Sequence, residues 1–208
     1  MAVTRPDLPP AVTDVRVIAI LRGLSQAQTV DVARALGAAG VRAIEVTIDS
    51  PGAFEAIAEI GRIDGVTGGA GTVLTTAEAE RAVAAGAAFL IAPTVDVEVI
   101  AWAAARGIPM MPGAMTPTEA ATAWRAGAAA VKLFPAGSLG PAFVRAVRAP
   151  LPAIPLIPTG GVRVQDVVPY LEAGAVAVAL GSELAAGGDA AEAGRRARAI
   201  LASIAAMA

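Results

Sequence analysis

The feature that most constrains the fold is a repeat of short apolar runs, each followed by a polar or glycine-containing corner and an alanine-rich stretch. The eight runs are Val15–Leu21, Ala43–Ile48, Val66–Val73, Ala88–Pro93, Ile108–Pro112, Ala129–Pro135, Pro155–Thr159 and Val176–Leu180. Their ends are about 19–27 residues apart. Because the runs are continuous rather than alternating, they predict strands buried on both faces, as in parallel sheets.

The stretches between the runs are typical of helices. The clearest are Ser25–Leu36, Thr76–Ala85, Thr116–Ala126 and Val164–Ala173. Pro117 occupies an expected first helical position, and Gly174 an expected C-terminal stop. Further Ala-Gly pairs at 39–40, 85–86 and 126–127 also predict helix ends just before a strand.

Eight near-equal strand–helix units predict a small single (β/α)8 TIM barrel, an α/β fold, over residues 1–208, with a short N-terminal segment at 1–14. The rival is an open doubly wound sheet. The late Gly-Gly and Gly-Ser corners favour the barrel. In a barrel, chemistry belongs at the carboxyl ends of the strands.

Composition removes several classes of chemistry. The 208 residues include no cysteine and no histidine, which excludes disulfides, catalytic thiols, histidine acid–base catalysis and most zinc sites. A net charge of −2 without basic runs argues against a nucleic-acid partner. Catalysis must therefore use lysine, arginine, carboxylates, hydroxyls and backbone groups.

No stretch predicts a membrane span. Val83–Pro93 is the longest apolar candidate, but it is too short and is interrupted by Gly86. The first residues lack the apolar run of a signal peptide. We therefore expect a cytoplasmic protein with no membrane partner.

Lys132 is the most informative single residue. The chain has sixteen basic residues, and Lys132, within an apolar strand, is the one lysine among them. A buried charge is costly, and lysine can deprotonate where arginine cannot. This favours a Schiff-base nucleophile; the alternative is a lysine that reaches the barrel mouth for a surface salt bridge.

Two further charged residues accompany it. Arg22 ends the first strand and is a candidate for the cation that lowers the lysine pKa. Glu45 lies among apolar residues of the second strand, as either a proton shuttle or a satisfied structural group.

Glycine-rich corners end three strands. Thr72 follows a Gly-Gly-Ala-Gly segment, where glycines allow close backbone approach. Thr159-Gly160-Gly161 ends strand seven and Gly181-Ser182 ends strand eight. Backbone N–H groups at these two corners commonly hold phosphate in barrels, although plain turns have the same composition.

Taken in order, these segments resemble the 2-keto-3-deoxy-6-phosphogluconate (KDPG) aldolase family over residues 15–190. The segments are IAILRG (18–23), IEVTIDSPGAFEAI (44–57), GAGTV (69–73), FLIAP (89–93), MPGAMTPTEA (111–120), VKLFPA (131–136), PTGGV (158–162) and ALGSEL (179–184). The resemblance implies a class I pyruvate aldolase on a small barrel, a homotrimer that takes a phosphorylated keto acid, with no metal or organic cofactor.

The resemblance also implies residue roles. Lys132 would form the imine and Glu45 would transfer protons, while Arg22 would face substrate anions. The pyruvate pocket would be lined by Thr72, Pro93 and Phe134. The phosphate would be held at Gly160, Gly161, Gly181 and Ser182, and Thr159 would be a further substrate-binding residue.

Asp49 departs from the family pattern, because many members have arginine there. The change removes an anion contact and leaves substrate choice open among KDPG, its 6-phosphogalactonate epimer and 4-hydroxy-2-oxoglutarate. Two other functions stay open: a phosphate-binding barrel enzyme without a Schiff base, and a catalytically silent trimeric scaffold.

Overall fold

A computed structural model describes residues 5–207 of the chain. The helices are α1 (Pro10–Thr13), α2 (Gln26–Ala38), α3 (Ala53–Ile60), α4 (Thr76–Ala84), α5 (Val97–Ala104), α6 (Pro117–Ala126), α7 (Gly140–Arg148), α8 (Val167–Glu172), α9 (Ser182–Ala185) and α10 (Ala190–Ala205). The strands are β1 (Val17–Leu21), β2 (Ala43–Thr47), β3 (Thr67–Gly71), β4 (Leu90–Ile91), β5 (Met110–Met111), β6 (Gly113–Ala114), β7 (Val131–Leu133), β8 (Leu156–Pro158) and β9 (Val178–Leu180). Short 3-10 turns span Ala136–Ser138, Val164–Asp166 and Ala186–Gly188.

All the strand pairs are parallel, and they form an α/β barrel fold. One sheet has the order β5-β4-β3-β2-β1-β9 and the other has the order β6-β7-β8. The first strand therefore pairs with the last, which a doubly wound sheet does not do. At one junction the Lys132 N–H donates to the Pro112 carbonyl at 2.9 Å, and at the other the Val176 N–H donates to the Leu156 carbonyl at 3.0 Å.

The run predicted as the fifth strand is interrupted. Met110–Met111 and Gly113–Ala114 are separate strands in different sheets, because Pro112 between them has no N–H to donate to the ladder. The structure thus has nine strand segments within residues 5–207, where the sequence pattern predicts eight.

The helix ends follow the sequence signals. Ser25, Thr75 and Thr116 each cap a helix with a reciprocal capping box. The glycines of the four Ala-Gly pairs all have φ between 97° and 107°, the left-handed conformation expected after a helix. The predicted helix Val164–Ala173 begins instead as a 3-10 turn and becomes α-helical only at Val167.

Two apolar clusters divide the core. The larger lies between the strands and the helices, and the smaller fills the barrel interior with inward-facing residues from successive strands, including Ile18, Ala43, Ala130 and Ile157. Val12 of α1 is fully buried in this inner cluster, so part of the predicted N-terminal segment 1–14 packs into the barrel; residues 1–4 lie outside the described range. Within residues 5–207, no helix is long and apolar enough to cross a bilayer.

Candidate active site

A cavity of about 630 Å³ opens at the carboxyl ends of the strands. The strands deliver side chains to it with a period of two, because alternate residues face the barrel interior. Ala43 and Ala130 belong to the inner cluster, so Glu45 and Lys132, two residues further along, also face inward and reach the cavity. The side chains that carry charge thus stand directly above the apolar interior.

Every residue predicted for the site lines this cavity except Thr72. The lining residues among them are Arg22, Glu45, Pro93, Lys132, Phe134, Thr159, Gly160, Gly161, Gly181 and Ser182. Residues from six different strand ends therefore meet in one place, although they are up to 160 positions apart in the chain.

Lys132 is held in a poorly solvated position. Its side chain is 8% exposed, and its Nζ lies 5.0 Å from the centroid of the Phe134 ring. Burial lowers the pKa of Lys132; the Glu45 carboxylate opposes this shift, and the Arg22 charge adds to it. The result is an amine with a larger neutral, nucleophilic fraction than a surface lysine has.

Glu45 shares this environment. It is 1% exposed, and burial raises its pKa; Lys132 and Arg22 oppose the rise, and Asp49 adds to it. Its Oε2 is buried and has no hydrogen-bond partner among residues 5–207. A carboxyl group with a raised pKa and a free oxygen is suited to accept and return protons.

The room for Glu45 comes from glycine on the neighbouring strand. A Cβ at Gly71 would overlap the Glu45 carboxyl group and its Cγ. Gly69, one inward position earlier, likewise leaves space for the Phe89 ring. The Gly-rich third strand therefore makes the space in which the carboxylate stands.

This contact makes a first prediction. Gly71→Ala is expected to displace the Glu45 carboxyl group and to lower kcat for the aldol cleavage that the resemblance implies by about tenfold to a hundredfold, since small misplacements of catalytic groups have effects of this size. Pyruvate release measured on purified variants checks it. Gly61→Ala is the control for a general glycine effect, because Gly61 is exposed, has φ of −62°, and a Cβ there would meet no atom closer than 3.6 Å. A Gly71→Ala enzyme with wild-type kcat would contradict the packing argument.

Arg22 and Thr72 form a clamp at the rim. The Arg22 Nη2 donates to the Thr72 hydroxyl at 2.7 Å. Thr72 has φ of 62°, which is a strained conformation for a β-branched residue. Thr72 thus contacts the site through Arg22 instead of lining the cavity itself.

The opposite side of the cavity is built from glycine corners. Gly160 and Gly161 have φ of 82° and 71°, and a Cβ at Gly160 would press against the Phe134 ring. Gly181 precedes α9, whose first residue is Ser182. Thr159 is buried and donates its hydroxyl hydrogen to the Ile157 carbonyl at 3.0 Å.

Sequence reasoning missed several lining residues, which include Ile20, Thr47, Ala179, Val162, Arg163 and Glu183. The first three could have been found by period-two spacing from Arg22, Glu45 and Gly181. The others lie on loops or short helices, where no periodicity applies. Asp49 is exposed and does not line the cavity, although its charge acts on Glu45.

Comparison with known proteins finds a matching protein family and several similar proteins. A family model described as KDPG and KHG aldolase matches residues 10–195. A probable 2-dehydro-3-deoxy-6-phosphogalactonate aldolase of Rhizobium meliloti (strain 1021) is 41% identical over 86% of this chain and 85% of its own length. A 2-dehydro-3-deoxy-phosphogluconate aldolase of Treponema pallidum (strain Nichols) is 39% identical over 77% of this chain and 78% of its own length.

Solved structures agree in fold. A structure described as native KDPGal has a TM-score of 0.87 at 33% identity and covers 91% of this chain and 94% of its own. A Legionella pneumophila KDPG aldolase, with pyruvate captured as a covalent carbinolamine, has a TM-score of 0.81 at 26% identity and covers 93% and 98%. A cube-shaped cage designed by fusing symmetric oligomeric domains has a TM-score of 0.87 at 33% identity and covers 92% of this chain and 72% of its own.

Proposed function

Since this chain belongs to the KDPG and KHG aldolase family, whose named members are lyases, we propose that it is a class I aldolase that cleaves KDPG into pyruvate and glyceraldehyde 3-phosphate. The observation that carries the proposal is the pairing of a buried lysine of lowered pKa with a buried glutamate of raised pKa in one cavity. The two groups act on each other's pKa through space, and no direct hydrogen bond contributes to either shift.

The proposed reaction uses these groups in sequence. The neutral Nζ of Lys132 attacks the C2 ketone, and loss of water gives an iminium ion that can accept an electron pair. Glu45 takes the proton of the C4 hydroxyl, directly or through water, and the C3–C4 bond breaks to an aldehyde and an enamine. Glu45 returns a proton to C3, and water hydrolyses the imine to pyruvate and free lysine.

The two ends of the cavity would hold the two ends of the substrate. Pro93 and Phe134 flank Lys132 and would enclose the pyruvyl part. Arg22, held by Thr72, would face its carboxylate. Thr159 and the backbone of the two glycine corners, with Ser182, would receive the phosphate.

Substrate preference is tested by a lactate-dehydrogenase-coupled pyruvate assay. KDPG, its 6-phosphogalactonate epimer and 4-hydroxy-2-oxoglutarate are compared at equal concentration. We expect the highest kcat/KM with KDPG. A higher value with either of the other two compounds would leave the proposed reaction mechanism in place but would make that compound the preferred substrate.

Treatment with borohydride and pyruvate should add one reduced pyruvyl group to Lys132. Phosphate binding without this adduct would favour a barrel enzyme that does not use a Schiff base, and a folded protein with neither property would favour a scaffold.

We propose further that the chain is a single domain, in which residues 5–207 form one closed eight-stranded barrel and the segments on either side of Pro112 count as one strand. The backbone hydrogen bonds at both sheet junctions support this closure.

We also propose that the protein is a homotrimer. Leu74, Val97 and Met115 are large apolar side chains 44–49% exposed, and they lie beyond the carboxyl ends of β3, β4 and β6 on the same rim. Large exposed apolar side chains on one rim favour burial against another copy. The cage built from symmetric oligomeric domains on a similar chain is consistent with self-association.

These three exposed side chains give a second prediction. Leu74→Glu combined with Met115→Glu is expected to convert the trimer to monomers, because two charges would be buried in the interface. Light scattering coupled to size-exclusion chromatography measures the mass. Ala202→Glu, at an exposed position of α10, is the control and should stay trimeric. A wild-type protein that elutes as a monomer would contradict the proposal directly.

A further inference from the structure

Arg163 lies at the glycine end of the cavity, and the sequence pattern assigns it no role. It follows Gly161 and Val162 and lines the cavity together with Gly181 and Ser182. Its side chain is 63% exposed, so it reaches into solvent at the cavity mouth. The position is therefore open to the distal end of a bound molecule.

The guanidinium is fixed by one neighbouring carboxylate. Arg163 Nε donates to Asp166 Oδ2 at 2.8 Å and Nη2 donates to Oδ1 at 2.9 Å. The Arg163 backbone N–H also donates to Oδ2 at 3.2 Å, so Asp166 binds both the main chain and the side chain. Counting partners among residues 5–207, two of the five guanidinium N–H groups are used, and three, including both on Nη1, remain for another acceptor.

A carboxylate near Arg163 makes a positive charge useful for anion binding at this end of the cavity. Glu183 also lines the cavity, where its Oε2 accepts the Val164 N–H at 3.4 Å. A substrate phosphate carries close to two negative charges, and a carboxylate at the same end of the cavity repels it. The Asp166 and Glu183 charges both act on Arg163. Arg163 and Glu183 line the same end of the cavity, so the positive charge of Arg163 offsets the negative charge of Glu183 there.

We propose that Arg163 is a specificity-determining residue, which binds the phosphate of a phosphorylated keto acid while Asp166 positions its guanidinium. The inference rests on the proposed function, which supplies a substrate with a phosphate at one end. It adds a positively charged side chain to an end of the cavity where the other proposed phosphate contacts are backbone groups and the hydroxyls of Thr159 and Ser182. A free guanidinium edge fits phosphate through two parallel hydrogen bonds.

The test compares substrates with and without phosphate. In Arg163→Gln, the KM for KDPG divided by the KM for 4-hydroxy-2-oxoglutarate is expected to rise by about tenfold to thirtyfold, as for loss of one charge-assisted contact that is partly exposed. Arg163→Lys should recover part of this ratio, since it keeps the charge but loses the fork. Asp166→Asn should raise the ratio by about threefold, since it loosens the guanidinium without removing it.

Arg195→Gln is the matched control. Arg195 is 61% exposed and forms the same kind of pair with Glu192, at 2.7 Å and three residues away, but on α10 and outside the cavity. Its substrate ratio should equal that of the wild type. An equal ratio in Arg163→Gln and Arg195→Gln would overturn the proposal.

A binding measurement separates this inference from the proposed function. Inorganic phosphate is titrated by 31P NMR into wild type, Arg163→Gln and Arg195→Gln. Weaker phosphate binding in Arg163→Gln alone supports the role of Arg163 even if no substrate releases pyruvate, in which case the proposed function fails by itself. Equal binding by all three proteins, or no binding by the wild type, overturns the Arg163 proposal whatever the activity.

Discussion

Lys132→Met is expected to lower kcat/KM for pyruvate release by about ten-thousandfold or more, the scale seen when a covalent nucleophile is removed. Methionine fills the same space beside Phe134 but has no amine, so no imine and no electron sink can form. The coupled pyruvate assay measures the loss. Borohydride with pyruvate, followed by intact-mass spectrometry, should then leave the variant unmodified and modify the wild type once.

Lys132→Arg tests whether catalysis needs the nucleophilic amine of Lys132 or only its positive charge. It keeps a cation in the barrel but cannot deprotonate, so we expect it to be as inactive as Lys132→Met. Circular dichroism and thermal unfolding establish that both variants fold, and the methionine variant keeps the test valid if arginine is too large for the site. Activity in Lys132→Arg would mean that the positive charge, and not the imine, carries catalysis.

The same residue sets a pH dependence. Because burial lowers the pKa of Lys132 below its usual 10.5, the neutral fraction rises through a pH range below that value. The rate of borohydride trapping at a fixed pyruvate concentration should therefore rise with pH through a midpoint below 10.5. A midpoint at or above that pH would contradict a lowered pKa of Lys132.

Glu45→Gln is the second large effect, with an expected fall in kcat of about a hundredfold to ten-thousandfold, the range for loss of a general acid–base. Glutamine has nearly the same shape but cannot carry the proton. Exchange of the pyruvate methyl protons in D2O, followed by NMR, isolates this step, because it breaks and re-forms a C–H bond through the enamine without any carbon–carbon cleavage. We expect exchange to stop in Glu45→Gln while borohydride trapping continues.

Glu45→Asp is the companion variant. It keeps the acid but moves it by one methylene, so it should restore part of the exchange rate if proton transfer is the role. Exchange at the wild-type rate in Glu45→Gln would assign the proton shuttle to another group. Loss of both exchange and trapping would mean that Glu45 acts earlier, in imine formation.

Stability should change with pH in a defined direction at Glu45. Its pKa is raised in the folded state, so the fold binds this proton more tightly than the unfolded chain does. The corresponding stability is complete below the ordinary pKa of 4.5 and is lost as pH rises through the folded-state value. Glutamine does not titrate, so Glu45→Gln does not lose this stability. As pH rises from 4.5 through the folded-state pKa of Glu45, denaturant unfolding should therefore show the free energy of unfolding of the variant increasing relative to that of the wild type.

Much of this site could be predicted because its residues break the pattern of their strands. Lys132 and Glu45 are charged residues in apolar runs, and an unpaired charge in a strand buried on both faces needs a reason. Period-two alternation then explains why both face the same interior. The same rule extends to Thr47 and Ile20, which the sequence analysis did not name.

The remainder depends on geometry that has no sequence period. Arg163 and Glu183 lie beyond the strand ends, and only the path of the loops brings them to the cavity. The strand is interrupted at Pro112 because proline has no N–H to donate to the sheet. The sequence does not show which neighbouring strand would have accepted that hydrogen bond. Thr72 reaches the site only through a hydroxyl that receives Arg22, and its positive φ has no signal in the residue type.

Because Gly71 leaves the space that the Glu45 side chain fills, the residues tolerated at these two positions on adjacent strands depend on each other. We expect alanine at 71 to be harmful while glutamate stands at 45, and acceptable beside a residue that has no Cγ. The effect of either substitution thus depends on which came first. A library that varies position 71 should therefore vary position 45 with it, because a larger side chain at 71 has to be matched by a smaller one at 45.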